Sequence, residues 1–245
     1  MKKPIINIYK STEELAGSFA ELLCDKVNEV PNESFLTIAL SGGSTPKAIF
    51  KYLAENYADR INWSKVKLFW GDERCVAPDD SESNYKMTTN CLLSKISIPA
   101  ENVFRIYGEA KPAEEVIRYA DVLRNNVVSI IGAPSFDIVL LGLGEDGHTA
   151  SIFPNQIELF GSENLCEIGV HPQTAQQRIT ITGKVINNAK NIIFLATGKS
   201  KAEKVSEIIN HKAGAELFPA SLVEAGVGAL MWMIDADAAS LLREK

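Results

Sequence analysis

Hydrophobic residues in this chain form short runs that alternate with segments of helical spacing, and the alternation continues from end to end. Short apolar runs bounded by turn residues indicate buried strands, whereas apolar residues about three or four positions apart indicate one face of a helix. The pattern predicts strands at residues 4–9, 35–40, 66–70, 102–106, 136–143, 192–197 and 229–234, with strand composition also at 164–170 and 178–182. It predicts helices at 46–56, 84–96, 113–131, 199–210 and from about 236, and a first helix that Ser11 caps with Glu14 in a capping box.

The order of these elements predicts the class of fold. Repeated strand–helix units form a mostly parallel, Rossmann-like α/β sheet with helices on both faces. The 245 residues, 46% of them hydrophobic, are enough for a full core. No repeat, low-complexity linker or clear boundary divides the chain, so we expect a single α/β domain over residues 1–245.

Polar, turn-forming segments follow four of the predicted strands, namely 35–40, 66–70, 136–143 and 192–197. In a parallel sheet the carboxyl ends of the strands lie at one edge, which is where open α/β sheets bind their ligands. Residues distant in the sequence therefore converge there, and we expect the four segments to build one site.

The first of these segments is SGGSTPK at residues 41–47. Gly42 and Gly43 allow backbone N–H groups to approach an anion, and Ser44 follows them. Pro46 suits the first turn of the next helix, whose N-terminus favours negative charge. The spacing is not that of a Walker motif. Taken alone, the segment fits a phosphate cradle and an ordinary strand–helix turn equally well.

Charged residues follow two further strands. Asp72, Glu73 and Arg74 come directly after an apolar strand, a position that favours function over a solvated loop with internal ion pairs. The segment TGKSK at 197–201 opens a helix, where lysines oppose the helix dipole. Lysines in that position suggest a bound anion nearby, but we expect Lys199 and Lys204 to be plain surface lysines.

The segment FDIVLLGLGEDGHTASIFP at 136–154 holds the best candidate for a catalytic base. Its glycines spell G-x-G-x-x-G, but the closing proline limits any following helix to about one turn, whereas a dinucleotide site needs a longer one. We therefore expect no dinucleotide here. His148 lies just past the turn at the strand end, and Asp146 is available to hydrogen-bond beside it. Of the other histidines, His171 precedes a proline in a loop and His211 lies near the end of a helix, so both are weaker candidates.

Charge and cysteine content narrow the function classes. Lys and Arg number 25 against 31 Asp and Glu, a net charge of −6, so the chain lacks the basic footprint of a nucleic-acid binder. The 4 cysteines form no C-x-x-C pair and no zinc-like spacing, which favours reduced thiols in a cytoplasmic protein and no metal site. The N-terminal segment has no apolar signal core and no run is long enough to span a bilayer, so we expect no membrane partner.

Several segments taken together resemble the 6-phosphogluconolactonase family, and the similarity runs through nearly the whole chain. They are ALSGGSTP, WGDERCV followed by Ser83-Asn84, LGLGEDGHTASIFP, QRITIT at 177–182, and TGKSKAEKV. Each segment is weak alone, but their order and spacing together are highly specific. The family is similar in fold to the glucosamine-6-phosphate deaminases.

The resemblance implies hydrolysis of 6-phospho-D-glucono-1,5-lactone to 6-phosphogluconate, without a metal or organic cofactor. By the same resemblance, His148 would be the general base that activates water, and Asp72 and Asp146 would orient it or bind sugar hydroxyls. The oxyanion donors would be Arg74 or backbone N–H groups of the glycine turns, and the sequence leaves both open. The phosphate would be held by Gly42, Gly43, Ser44, Arg178 and Lys201, with Arg74 assisting. The implied partner is a phosphorylated sugar lactone, and the implied assembly is a monomer or small homo-oligomer.

Two competing functions make different demands on the sequence. A glucosamine-6-phosphate deaminase resembles this chain but carries a catalytic Glu five residues after the histidine and D-E-Y at the charged triplet. Here Phe153 and Arg74 occupy those positions, which argues against ring opening and deamination. A sugar-phosphate sensor on the same fold would need a DNA-binding module, and the first predicted strand begins at about residue 4, so we expect none before it.

Overall fold

The computed structural model of the protein describes residues 3–242. The strands in chain order are β1 (Ile5–Tyr9), β2 (Leu36–Leu40), β3 (Val66–Trp70), β4 (Asp72–Arg74), β5 (Val103–Phe104), β6 (Ser129–Ile130), β7 (Ala133–Pro134), β8 (Ile138–Gly142), β9 (Cys166–Val170), β10 (Gln177–Ile181), β11 (Asn191–Ala196) and β12 (Ala229–Asp235). The α-helices are α1 (Thr12–Asn28), α2 (Ser44–Asn56), α3 (Asn84–Cys91), α4 (Pro112–Asn126), α5 (Gly183–Ile186), α6 (Ala202–Ile209) and α7 (Ala236–Ala239). Short 3-10 helices occupy several of the connections, including Pro154–Gly161 and Lys199–Lys201.

A seven-stranded sheet forms the centre of the fold, in the order β1-β12-β11-β8-β2-β3-β5. Every neighbouring pair in it is parallel, which confirms the predicted class of fold. From β2 the chain continues outward to β3 and β5, and from β8 it continues in the opposite direction to β11 and β12. The junction of β2 and β8 is therefore the topological switch point, where open α/β sheets form a crevice beyond the strand ends.

The strands beside this junction are the most deeply buried part of the sheet. All residues of β2 are buried, as are the first four of β8 and all but the first of β11. A strand covered on both faces reads as a continuous apolar run rather than an alternating one, which is why the sequence predicts these strands well. Since β11, β8, β2 and β3 are adjacent, the four predicted strand ends do meet at one edge.

A second sheet, of three antiparallel strands in the order β4-β10-β9, was not predicted. The sequence predicts a polar turn at Asp72, Glu73 and Arg74 after β3, whereas these residues form β4 and pair with β10. A charged triplet carries no strand signal of its own, and its extended form depends on a partner about a hundred residues later in the chain. This small sheet brings the charged triplet and Arg178 side by side.

Two predicted helices end earlier in the structure, and one cap differs. Helix α4 ends at Asn126 rather than 131, because the β-branched residues after it form the hairpin of β6 and β7. Helix α3 ends at Cys91 rather than 96, because Leu92 leaves the helical conformation (φ −132°, ψ −65°) and a short 3-10 helix, Leu93–Lys95, follows it. Ser11 Oγ accepts the N–H of Glu14 at 3.2 Å as predicted, but the Glu14 carboxylate accepts the N–H of Lys10 instead of closing the capping box.

Three further features of the described residues concern membrane spans, metal-ligand groups and cysteines. Within residues 3–242, no helix combines the length and apolar character needed to cross a membrane. In the same range, no group of three or more His, Cys, Asp or Glu side chains is arranged to hold a metal ion. The cysteines among these residues are all free thiols.

Candidate active site

A cavity of about 180 Å³ opens at the junction of β2 and β8. The segment from Ser41 to Pro46 forms one wall, and the start of the turn after β8 forms another. Of the residues predicted for the site, the cavity is lined by Gly42, Gly43, Ser44, Asp72, Arg74, His148, Arg178 and Lys201. Asp146 does not line the cavity; it lies against His148, as the next contacts show.

The turn after β8 positions the histidine through two hydrogen bonds and two glycines. The N–H of Gly144 donates to the carbonyl of His148 at 2.9 Å, and the N–H of Gly147 donates to the carbonyl of Gly144 at 3.1 Å. Gly147 has a φ of +84°, which other residues rarely adopt. A Cβ on Gly144 would lie 2.1 Å from His148 Nδ1, so a side chain at that position would displace the imidazole ring.

His148 and Asp146 form a hydrogen-bonded pair at the end of this turn. His148 Nδ1 lies 2.6 Å from Asp146 Oδ1, and the same oxygen accepts the backbone N–H of His148 at 3.1 Å. Burial alone would raise the pKa of Asp146, but the bonds and charge of His148 outweigh it and lower that pKa to about 2. An ionised carboxylate only accepts hydrogen bonds, so the Nδ1 atom must carry the proton. In the neutral ring, the lone pair is therefore on Nε2.

The ring of Phe153 packs beside His148 at the back of the site. The two ring centroids are 4.8 Å apart, and Phe153 is fully buried. Its ring also lies 5.2 Å from His171, and the Arg178 guanidinium lies 5.5 Å from the ring centroid. Phe153 thus touches both the candidate base and a candidate anion-binding residue.

His171 lies near the site, although its sequence position makes it a weaker candidate than His148. Its Nδ1 accepts the backbone N–H groups of Gln173 and Thr174, both at 3.3 Å. Burial lowers the pKa of His171, and the positive charge of Arg178 lowers it further. A residue before a proline in a loop has no periodicity signal, so only the fold of the β9–β10 hairpin shows that His171 contacts Phe153.

Two arginines lie side by side on neighbouring strands of the small antiparallel sheet. Arg178 on β10 is the direct partner of Arg74 on β4. Within residues 3–242 neither guanidinium forms an ion pair, although one terminal nitrogen of Arg74 donates to the carbonyl of Glu82. The Nε atom of each arginine is buried without a hydrogen-bond partner. Burial lowers the pKa of Arg178, and the neighbouring Arg74 charge lowers it further. Lys201 adds a third positive charge to the cavity and makes one long contact, 3.9 Å, with Glu145.

The N-terminus of α2 faces the same cavity. Gly43 precedes the helix with a φ of +106° and provides no side-chain cap. The N–H groups of the first helical turn have no partner within a helix, so those of Ser44 and Thr45 are available to an anion. Gly42 lies so close to Asn84 that a Cβ there would be 1.9 Å from the amide oxygen. This wall thus has room only for a glycine backbone.

The second predicted carboxylate, Asp72, has a different partner from Asp146. It is 5% exposed, and its Oδ2 accepts the hydroxyl of Ser151 at 2.6 Å. Its backbone carbonyl accepts the side-chain amide of Asn84 at 2.9 Å. Asp72 makes no hydrogen bond to His148, so of its two predicted roles the geometry favours contact with a ligand over orientation of the base.

An acid–histidine pair beside two arginines and a lysine at the switch point of a parallel sheet is the arrangement expected of an enzyme that acts on an anionic small molecule. Comparison with known proteins gives the family. The family model described as glucosamine-6-phosphate isomerases/6-phosphogluconolactonase matches residues 10–232, and the chain belongs to this family.

Two relatives and one more distant structure place the chain further. It is 46% identical over 206 residues to a 6-phosphogluconolactonase from Aggregatibacter actinomycetemcomitans, covering 84% of this chain and 87% of that protein. The crystal structure of 6-phosphogluconolactonase from Leishmania guyanensis superposes with a TM-score of 0.88 at 27% identity, covering 99% and 100% of the two chains. A monomeric glucosamine-6-phosphate deaminase superposes with a TM-score of 0.78 at 22% identity over 97% and 99%, which confirms the predicted similarity of fold.

Proposed function

We propose that this chain hydrolyses 6-phospho-D-glucono-1,5-lactone to 6-phosphogluconate, with His148 as the general base. The observation that carries the proposal is the pairing of His148 Nδ1 with ionised Asp146, which leaves Nε2 as the proton acceptor at the cavity wall. The names of two relatives support the same reaction, since the protein that is 46% identical and the Leishmania guyanensis structure are both called 6-phosphogluconolactonase.

The reaction needs one proton to move twice. His148 Nε2 takes a proton from water as the water oxygen bonds to the lactone carbonyl carbon, and the carbonyl electrons move onto oxygen. The tetrahedral oxyanion then collapses, the bond from that carbon to the ring oxygen breaks, and the ring oxygen takes the proton back from His148. The new carboxylic acid releases its own proton to solvent. Asp146 holds the ring in the required tautomer and stabilises the imidazolium while it exists.

The positive groups of the cavity match the negative groups of the substrate. The first-turn N–H groups of α2 and the Lys201 ammonium suit the phosphate, because a helix N-terminus and a point charge both favour it. Arg178 presents a fork of donors that binds phosphate oxygens in pairs. Arg74 lies beside Arg178 and would supply donors to either the phosphate or the oxyanion.

Deamination of glucosamine 6-phosphate is the competing reaction on this fold. It needs a carboxylate beside the histidine to assist ring opening, and Phe153 fills that position with a fully buried ring. The phenyl ring that lies against the base has no group that could assist ring opening. This contact supports lactone hydrolysis over deamination.

The decisive test is a lactonase assay with freshly generated lactone, corrected for spontaneous hydrolysis. We expect the wild-type protein to exceed the buffer rate clearly and His148→Ala to lower kcat by about 10²–10⁴-fold, the usual contribution of a general base. The same preparations are given glucosamine 6-phosphate and tested for ammonia release, which we expect to be absent. A wild-type rate no faster than buffer would overturn the proposal, and an unchanged kcat in His148→Ala would overturn the assignment of the base.

A further inference from the structure

The turn that carries the Asp146–His148 pair is covered from outside the cavity by a segment that no part of the proposed mechanism uses. This segment, residues 214–222, contains the 3-10 helices Ala215–Leu217 and Pro219–Leu222, with Phe218 between them. Phe218 is partly buried and does not line the cavity, so it does not reach a bound substrate.

Two contacts from this segment converge on Gly147, the residue between the acid and the histidine. The N–H of Ala220 donates to the carbonyl of Gly147 at 3.1 Å. A Cβ placed on Gly147 would lie 2.6 Å from Phe218 Cγ and 2.7 Å from its Cβ and Cδ1, so the Phe218 side chain rests directly on the glycine. The hydrogen bond from Ala220 fixes the orientation of the peptide group of Gly147, and the Phe218 side chain covers the side of Gly147 where a Cβ would lie.

Gly147 also has a backbone conformation that depends on its being glycine. Its φ of +84° lies in a region open to glycine, and glycine reaches several other regions at little cost. A rotation there would move the Asp146 carboxylate relative to the His148 ring, because the residues flank it. The 2.6 Å bond between those side chains tolerates little displacement.

The segment is itself anchored to the body of the protein. The Lys204 ammonium on α6 lies 4.3 Å from the centroid of the Phe218 ring, and the same ammonium pairs with Glu207 at 2.6 Å. At the far end, the Asn187 side chain donates to the carbonyl of Leu222 at 3.2 Å. Phe218 is therefore supported on a helix rather than on a free loop.

We propose that Phe218 is a positioning residue for the reaction: it holds Gly147 in the conformation that keeps Asp146 bonded to His148. The proposal rests on the proposed function for its kinetic consequence, but its geometric consequence stands apart from any activity. Phe218 acts through the turn and touches neither the substrate nor the reacting atoms.

The atoms that make the contact with Gly147 determine which variants of Phe218 keep it and which remove it. The Phe218 atoms nearest Gly147 are Cβ, Cγ and Cδ1, all of which leucine also has. Phe218→Leu keeps this contact, whereas Phe218→Ala removes Cγ and Cδ1. Leu217→Ala is the matched control, because Leu217 is the neighbouring residue and is 64% exposed.

The kinetic arm compares these variants in the lactonase assay. We expect Phe218→Ala to lower kcat on the order of tenfold, since small misplacements of a catalytic group carry large costs, with KM changed by less than about twofold. Phe218→Leu should retain most of the wild-type kcat and Leu217→Ala all of it. An unchanged kcat in Phe218→Ala would overturn the proposal, as would equal losses in the alanine and leucine variants.

A spectroscopic arm separates this proposal from the proposed function. In ¹⁵N-histidine-labelled protein, the Nδ1 proton of His148 bonded to Asp146 gives a downfield proton signal, assigned by its loss in His148→Asn. We expect the signal to persist in Phe218→Leu and to broaden or disappear in Phe218→Ala. If wild-type protein had no lactonase activity but showed this pattern, the positioning role would stand and the proposed function would fall. A signal unchanged in folded Phe218→Ala would overturn the positioning role. If the alanine variant does not fold, Phe218→Val takes its place, because it keeps a γ carbon but loses Cδ1. A signal no weaker in Phe218→Val than in Phe218→Leu would then overturn the role.

Discussion

Arg178 lies directly opposite Arg74 in the antiparallel pairing of β10 with β4, and within residues 3–242 neither guanidinium forms an ion pair. Like charges placed opposite each other on neighbouring strands destabilise a sheet. Each arginine also has a buried Nε–H group without a hydrogen-bond partner, which adds to that cost. An anion between the two side chains would offset this cost, so we propose that the pair binds the phosphate or the oxyanion of the substrate.

Replacing Arg178 should therefore stabilise the free protein while weakening substrate binding. We expect Arg178→Gln to raise the free energy of unfolding without phosphate by up to about 1 kcal/mol, the scale of a cross-strand charge pair. The same variant should raise KM with a smaller change in kcat, because its interaction is present in both ground and transition states. Thermal melting with and without inorganic phosphate, together with steady-state kinetics, measures both effects.

The matched control for this variant is Arg124→Gln. Arg124 is exposed and pairs with Asp121 at 2.6 Å away from the cavity. Its loss should leave KM and the stabilisation by phosphate unchanged. If Arg178→Gln lowered the melting temperature without phosphate and left KM unchanged, Arg178 would be a structural residue rather than an anion ligand.

The Asp146 carboxylate should matter for turnover rather than for binding. In Asp146→Asn the amide can present its N–H group to His148 Nδ1, which favours the tautomer with the proton on Nε2 and removes the base. We expect kcat to fall by about 10²–10⁴-fold with little change in KM. Glu145→Gln is the control, because Glu145 is the adjacent acid and makes no hydrogen bond to His148. Equal effects of the two variants on kcat would contradict the role of Asp146.

The sequence predicts the strands that form the sheet edge well, because strands buried on both faces appear in it as continuous apolar runs. Strands such as β2 and β8 are covered on both faces, so they appear as apolar runs, and the glycine-rich turns after them mark where they end. The parallel arrangement follows from the strand–helix alternation, and it implies that the strand ends meet. On that basis alone, His148 and Gly43 are expected at one edge.

Pairings between residues far apart in the chain produce no comparable pattern in the sequence. Nothing near Arg74 or Arg178 indicates that the two residues face each other, since the register of β4 with β10 is a property of the folded sheet. The contact of Phe218 with Gly147 is equally hidden, because the aromatic residue lies in an irregular segment without periodicity. The contact of His171 with Phe153 is hidden for the same reason.

The low pKa of Asp146 predicts a particular dependence of stability on pH. Its pKa is lowered from 3.8 to about 2 in the folded protein, so the folded state binds fewer protons than the unfolded state between those values. This contribution is complete above pH 4 and is lost as the pH falls toward 2. Since the side chain is 43% exposed, we expect only roughly 1 kcal/mol.

Urea unfolding of wild type and Asp146→Asn from pH 6 to pH 2 measures this contribution. The difference in the free energy of unfolding between the two proteins should be constant at the upper end of the range and should shrink below about pH 4. A difference that grew as the pH fell would reverse the sign and would show that Asp146 is not held ionised by His148.

Phe153 should affect both stability and turnover, and the two effects can be separated. It is fully buried, so Phe153→Ala should lower the free energy of unfolding by about 3–5 kcal/mol. Because its ring packs 4.8 Å from the ring of His148, we also expect kcat per folded molecule to fall on the order of tenfold as the imidazole loses its support.

Phe160→Ala is the matched control, since Phe160 is buried in the next segment of the chain and packs on Gly183 rather than on His148. That control should also cost stability but leave kcat per folded molecule unchanged. Kinetics in phosphate-free buffer, with the folded fraction measured by circular dichroism, distinguish the two variants, and an equal loss of kcat in both would show that Phe153 acts only through the core.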